Sequence, residues 1–225
     1  MGGIGLMGRR RFIASTPVKG DSSVQEYKRL VVASGAYFIT DYYPSNYDRL
    51  TFKMQPQAYP RVLFGARKGM GVVMLANTAD IGYASWDSDT AKQLAADWRQ
   101  NIARDLGMFL DGNQYKAVYG IYGTGSYAII KTYSEPPADK TSQVPLYICA
   151  SLTVNSDNAL DSRYFQGSFY GLQVIDSRSG NVKHDFVPAV NGAEVGIYDR
   201  ITGAFYGNSG TGEVTADNEE EFIGL

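Results

Sequence analysis

The chain predicts an all-β, antiparallel two-sheet sandwich, and three observations carry that expectation. Short runs of alternating apolar and polar residues fill the stretch from about residue 25 to 214. Turn residues separate these runs at intervals suited to a sandwich. Of 225 residues, 17 are Tyr and 25 are Gly. Aromatics fit pleated, half-buried surfaces, and glycine serves turns and bulges.

Tyr27 to Val32 reads as a first strand and Ala36-Tyr37-Phe38-Ile39-Thr40 as the next. Arg49-Leu50-Thr51-Phe52-Lys53-Met54 alternates with period two, one face apolar and one polar, and Pro56 and Pro60 end it. Arg61 to Arg67, Gly71 to Leu75 and Ile81 to Trp86 follow. Later strands are expected at Lys116 to Tyr122, Tyr127 to Tyr133, Leu146 to Leu152, Gly167 to Ile175 and Val195 to Tyr198. Asp89 to Leu106 is the ambiguous segment. Ala91, Leu94, Ala95, Trp98, Ile102 and Leu106 have helical spacing, with Asp87, Ser88 or Asp89 as N-caps. The alternative is a hairpin in which Trp98 to Arg104 is a strand, Asp105-Leu106-Gly107 the turn and Met108 onward the partner. The β character of the rest of the chain favours the hairpin.

Composition excludes several function classes. The 21 Lys+Arg and 23 Asp+Glu leave a net charge of -2, without the basic footprint of a general nucleic-acid binder. One Cys rules out an internal disulfide framework and a Cys-rich zinc site. One His rules out a metal held by several imidazoles. No apolar run approaches the ~18 residues of a membrane helix. No cofactor is expected. Cys149, inside Leu146-Tyr147-Ile148-Cys149-Ala150, reads as a small buried hydrophobe.

The two ends differ from the middle. Met1 to Gly8 is Gly-rich and apolar, and Arg9, Arg10, Arg11 and Phe12 follow with no acid before Asp21. Gly3-Ile4-Gly5-Leu6-Met7-Gly8 has G-x-G-x-x-G spacing, but no strand precedes it, so a dinucleotide loop is not expected. The arginines lack the apolar stretch that follows them in an export signal, and Leu6 breaks a myristoylation pattern. The partition is therefore an extended basic arm over 1-23, one β domain over 24-215 and an acidic tail over 216-225. Arg9, Arg10, Arg11 and Phe12 are the candidate attachment residues, ordering on an acidic partner surface. Ends of opposite charge suit contact between copies, hence a homo-oligomer.

The C-terminal third carries a resemblance. Phe169-Tyr170-Gly171-Leu172-Gln173-Val174-Ile175-Asp176 leads to Lys183-His184-Asp185-Phe186-Val187-Pro188-Ala189. Glu194-Val195-Gly196-Ile197-Tyr198-Asp199-Arg200 and Gly203-Ala204-Phe205-Tyr206-Gly207-Asn208-Ser209-Gly210-Thr211-Gly212 come next. This order resembles the close of concanavalin A-like (laminin-G-like) jelly-roll domains in phage and prophage structural proteins of gut bacteria. Val32 to Asp41 and Leu63-Phe64-Gly65-Ala66-Arg67 are similar to upstream motifs of the same family. The resemblance spans about residues 25 to 214 and implies a concanavalin A-like jelly roll. In these motifs Pro188 is expected to end strand pairing, and Gly207, Gly210 and Gly212 to supply positive φ in a closing loop.

Some jelly rolls are glycoside hydrolases, so the fold leaves catalysis open. Retaining enzymes of this architecture resemble one another in an E-x-D-x-E-type strand that sets two carboxylates on one face. No such alternation occurs here: Glu219-Glu220-Glu221 is contiguous, and Asp87 and Asp89 lack a third acid. His184 has no G-x-S-x-G elbow before it and reads as an exposed strand-end residue. Asp41, Asp87 and Asp89 have no specific calcium spacing. No catalytic residue and no metal site are expected. Tyr83, Trp86 and Trp98 are candidates for stacking on sugar rings, with Asp87 and Asp89 accepting from hydroxyls.

The resulting expectation is a non-enzymatic phage virion structural or decoration protein: a head fibre, capsid decoration or tail component. It would be assembled in the bacterial cytoplasm and joined to other virion proteins through its arm. The alternative is a carbohydrate-binding adhesin for host-surface glycans. Neither nucleic acid nor membrane insertion is expected.

Overall fold

A computed structural model describes residues 18–19, 23–86, 92–95, 98, 103–135, 138–153 and 156–219. Their strands in chain order begin with β1 (Val18–Lys19), β2 (Val24–Glu26), β3 (Arg29–Val32), β4 (Phe38–Ile39), β5 (Asp48–Pro56) and β6 (Arg61–Lys68). Next come β7 (Met70–Ala76), β8 (Ile81–Trp86), β9 (Lys92–Ala95), β10 (Ala103–Asp111), β11 (Gln114–Ile121) and β12 (Tyr127–Tyr133). The last are β13 (Tyr147–Ile148), β14 (Gly167–Asp176), β15 (Val182–Asn191), β16 (Glu194–Asp199), β17 (Ala204–Gly207) and β18 (Val214–Asp217). No helix occurs among the described residues.

The strands form two antiparallel sheets. The larger runs β1-β17-β16-β15-β14-β5-β10-β11-β12, with β3 and β18 on the flank of β14 and β2 on that of β15. The smaller runs β4-β13-β6-β7-β8-β9. One hydrophobic core lies between them. Leu50, Phe52 and Met54 alternate inward along β5, as the period-two pattern predicts. Phe52 meets Phe64 of the smaller sheet edge-to-face at 4.9 Å, so the two layers interlock through aromatic packing. The predicted all-β sandwich is the observed fold.

Several local expectations are corrected. Asp105-Leu106-Gly107 is not a turn but the middle of β10, and the hairpin turn lies instead between Asp111 and Gln114. Gly112 there has φ 59°, which glycine adopts without a Cβ penalty. Of the segment whose apolar spacing also fits a helix, Lys92–Ala95 and Ala103–Asp111 are strands, β9 and β10. The strand expected over 146–152 is cut to Tyr147–Ile148, because Cys149 takes φ 69° and turns the chain away.

Pro188 does not end its strand. It pairs with Ile197 in the middle of β15, and its carbonyl accepts from the Tyr27 amide at 2.9 Å. Carbonyl and amide positions of one residue face the same neighbour. The missing N–H therefore falls at the handover between β14, last paired at Phe186, and β2, first paired at Ala189. Gly210 and Gly212 also act differently from expectation. None of Gly207, Gly210 and Gly212 has positive φ; Gly210 lies against Gly35 and Ala36, and Gly212 against Ser34 and Ala36, so closely that a Cβ would collide with backbone. The loop is packed by absence of side chain rather than turned by it.

The ends of the domain differ from the sequence partition. Val18–Lys19, placed in the arm, pairs with β17, and Ala216 and Asp217, placed in the tail, belong to β18. Arg29 Nη2 donates to Asp217 Oδ2 at 2.5 Å, which ties β18 to β3.

Candidate functional site

The largest sheet ends in the hairpin β11–β12, and the outward face there forms a cleft of about 480 Å³. Register places its lining. Asp105 stands between Gly120 on β11 and Thr51 on β5, and Gly120 pairs onward with Tyr127 of β12. Gly107, two residues along the same face of β10, pairs with Val118. The connecting loop Ile121–Ser126 is closed by the Ile121 amide donating to the Ser126 carbonyl at 3.0 Å. Gly123 and Gly125 take φ 76° and 69°, so this tight loop needs glycine at both.

Two aromatic rings stand at this cleft with half their surface in solvent: Tyr122 is 50% and Tyr127 48% exposed. Phe109 packs edge-to-face on Tyr127 at 5.1 Å, which fixes the ring's orientation before any ligand arrives. The only charged residues lining the cleft among the described residues are Arg49 and Asp105.

Arg49 lies over a glycine. A Cβ at Gly107 would fall 2.6 Å from Arg49 Cγ and 2.8 Å from its Cα, so the side-chain stem occupies the space a larger residue would fill. Arg49 Nε and Asp105 Oδ1 are 3.9 Å apart, beyond hydrogen-bond reach, and neither atom has a hydrogen-bond partner among the described residues. The Asp105 side chain is 19% exposed, that of Arg49 41%. Burial raises the Asp105 carboxyl above the usual carboxylate range, opposed in part by Arg49 and by a hydrogen bond from Thr51. The cleft therefore presents a guanidinium to solvent and keeps its carboxylate mostly underneath.

The aromatic candidates chosen from sequence are placed elsewhere. Trp86 is fully buried and donates from Nε1 to the Asn46 carbonyl at 3.0 Å. Trp98 is 1% exposed, packed near Tyr119 with the Arg104 guanidinium 5.8 Å from its ring. Neither offers a face to a sugar, and both are corrected to core residues. Tyr83 is half-buried on the outer side of β8, where its hydroxyl donates to Gln93 Oε1 at 3.4 Å. Asp87 and Asp89 lie outside the described residues, as do Arg9, Arg10, Arg11 and Phe12. Nothing gathers Tyr83, Trp86 and Trp98 into one groove. Sequence reading missed Arg49, Asp105, Tyr122 and Tyr127. The available signal was Gly120-Ile121-Tyr122-Gly123-Thr124-Gly125-Ser126-Tyr127, which sets two tyrosines on a glycine-rich turn.

His184 is also corrected: it is not exposed. Its Nδ1 lies 2.7 Å from Oδ2 of the fully buried Asp199, its ring stacks on Phe186, and Tyr42 covers it at 4.2 Å. Asp199 also accepts from the Thr202 hydroxyl and from the Asp185 and Ile201 amides. These donors hold its carboxyl down at about 2, against the opposing effect of burial. Asp41 accepts from the Tyr206 hydroxyl. Among the described residues no group of three or more His, Cys, Asp or Glu side chains could hold a metal ion. Cys149 is completely buried, as its apolar run predicts, and burial pushes its thiol well up.

No protein-family profile matches the chain, and no curated protein matches it. Solved structures do. A Bacteroides ovatus protein described as a "putative carbohydrate binding protein" superposes with a TM-score of 0.53 at 8% identity. The match covers 87% of this chain and 61% of the other, so the chain spans less than two thirds of that protein. The CBM40 of a Ruminococcus gnavus IT-sialidase matches at a TM-score of 0.35 and 12% identity, over 73% of this chain and 91% of that one. The first likeness is one of fold; the second is too distant in shape to carry an argument.

Proposed function

We propose that this protein is a non-catalytic, carbohydrate-binding β sandwich that takes a glycan in the cleft at Tyr122 and Tyr127. The observation that carries the reading is the pair of half-exposed tyrosine rings beside a cleft of about 480 Å³. Small-molecule sites are concave, largely apolar and furnished with a few convergent polar groups. Here the apolar wall is Phe109, Val118 and Ile121, and the polar groups are Arg49, Asp105 and Ser126. A sugar ring presents an apolar C–H face to tyrosine and hydroxyls to the polar side. The carbohydrate-binding description of the Bacteroides ovatus neighbour supports this reading over a purely structural role. A non-catalytic role is supported by the single carboxylate, Asp105, among the cleft's described residues, since glycoside hydrolysis uses two.

Glycan-array binding by the full chain, compared with Tyr122→Ala and Tyr127→Ala, tests it. Each variant is expected to lose roughly tenfold in affinity, about the value of one aromatic anchor, with thermal stability little changed. Unaltered binding by both variants overturns the site.

Display of this sandwich on a phage particle, with repeated copies adding weak contacts, is the second element of the proposal. It rests on the series of motifs between residues 25 and 214. Immunogold labelling of particles tests it, and absence of label from purified virions overturns it.

A further inference from the structure

We infer that the glycan taken by this cleft is anionic, and that Arg49 grips its carboxylate or sulfate group; the inference rests on the proposed glycan site. Arg49 and Asp105 are the two charged residues lining the cleft, but they are not equivalent. Asp105 is mostly covered, with its Oδ1 buried, whereas the Arg49 side chain is 41% exposed. Their separation of 3.9 Å leaves the ion pair open. A guanidinium has five N–H donors in a planar fork. With Nε turned toward Asp105, the terminal nitrogens remain to meet a ligand, and their geometry matches an oxyanion.

Its position is also prepared. The Arg49 stem rests on Gly107, where any side chain would displace it. A cation whose stem is fixed in advance loses less freedom on binding than a mobile surface arginine. Neighbouring Tyr122 and Tyr127 add ring faces to the same cleft. The exposed charge of the cleft is thus positive and local, on a chain whose net charge is -2. Selectivity for an acidic sugar is the consequence of that arrangement, rather than a general attraction of polyanions.

The test is calorimetric binding of the full chain to three tetrasaccharides: one containing uronic acid, its carboxyl-reduced neutral counterpart, and a neutral backbone bearing sulfate. Wild-type protein is expected to bind at least one acid-bearing ligand roughly tenfold or more tighter than the neutral one. Which of the two is preferred tells carboxylate from sulfate. Arg49→Gln is expected to abolish the preference, and Arg49→Lys to restore part of it. Equal or tighter binding of the neutral ligand, still lost in Tyr127→Ala, overturns the inference and leaves the glycan site standing. Tighter binding of acidic ligands that persists in Arg49→Gln also overturns it. Failure of all three ligands, with the array also blank, removes both readings.

Discussion

His184 Nδ1 lies 2.7 Å from Asp199 Oδ2, on a carboxylate with no exposed surface. The same carboxylate collects the Thr202 hydroxyl and the Ile201 amide from the turn that joins β16 to β17, and the Asp185 amide from β15. The Asp199-Arg200-Ile201-Thr202-Gly203 motif is therefore a buried clasp in the sheet, and the chain's one histidine belongs to it.

That clasp sets an acid-stability prediction. Asp199 titrates at about 2 in the folded chain against 3.8 ordinarily. Because the folded value is the lower one, its contribution is fully present above about pH 4 and is lost as pH falls through 2. At neutral pH it contributes roughly 2 kcal/mol. Denaturant unfolding of Asp199→Asn from pH 7 to pH 2 is expected to show lower stability at pH 7 and a flatter decline below pH 4. A decline as steep as wild type would show that other groups govern acid unfolding.

The tryptophans separate packing from recognition. Trp86→Ala removes a fully buried indole and leaves the Asn46 carbonyl without its donor, so a loss of about 3–5 kcal/mol is expected. Trp98 Nε1 has no hydrogen-bond partner among the described residues, and Trp98→Phe should cost less than Trp98→Ala. Chemical denaturation measures both. Glycan affinity of the Trp98→Phe variant is expected to match wild type while the protein remains folded.

Gly107→Ala probes the seat beneath Arg49. The new methyl group would meet the Arg49 backbone as well as its stem, so relief requires movement of the arginine or of the strand. A stability loss of about 1–3 kcal/mol is expected from this overpacking. Affinity for the uronic-acid ligand is expected to fall more than affinity for its neutral counterpart. An equal fall for both would assign Gly107 to the strand alone.

Within the sandwich, local chemistry wrote the strands. Leu50, Phe52 and Met54 alternate with polar neighbours, and that period is enough to specify an extended strand with one buried face. Ile81 to Trp86 was legible to the residue, bounded by turn residues before it. The segment around Leu106 was not, because its apolar spacing also fits a helix; pairing with β5 and β11 on both sides decides for strand. Pro188 misled for a similar reason: a missing N–H matters only where a neighbour needs it, and β15 changes neighbours there.

The sequence by itself determined an all-β chain, its strand faces and the burial of Cys149, since these follow from residue type and spacing along a few neighbours. Only the tertiary structure decided which aromatics meet water. Trp86 and Tyr127 both belong to β strands, yet one faces the opposing sheet and the other stands on the last strand of the larger one. Exposure is set by what is stacked across a layer some 10 Å away, and no local pattern encodes that distance.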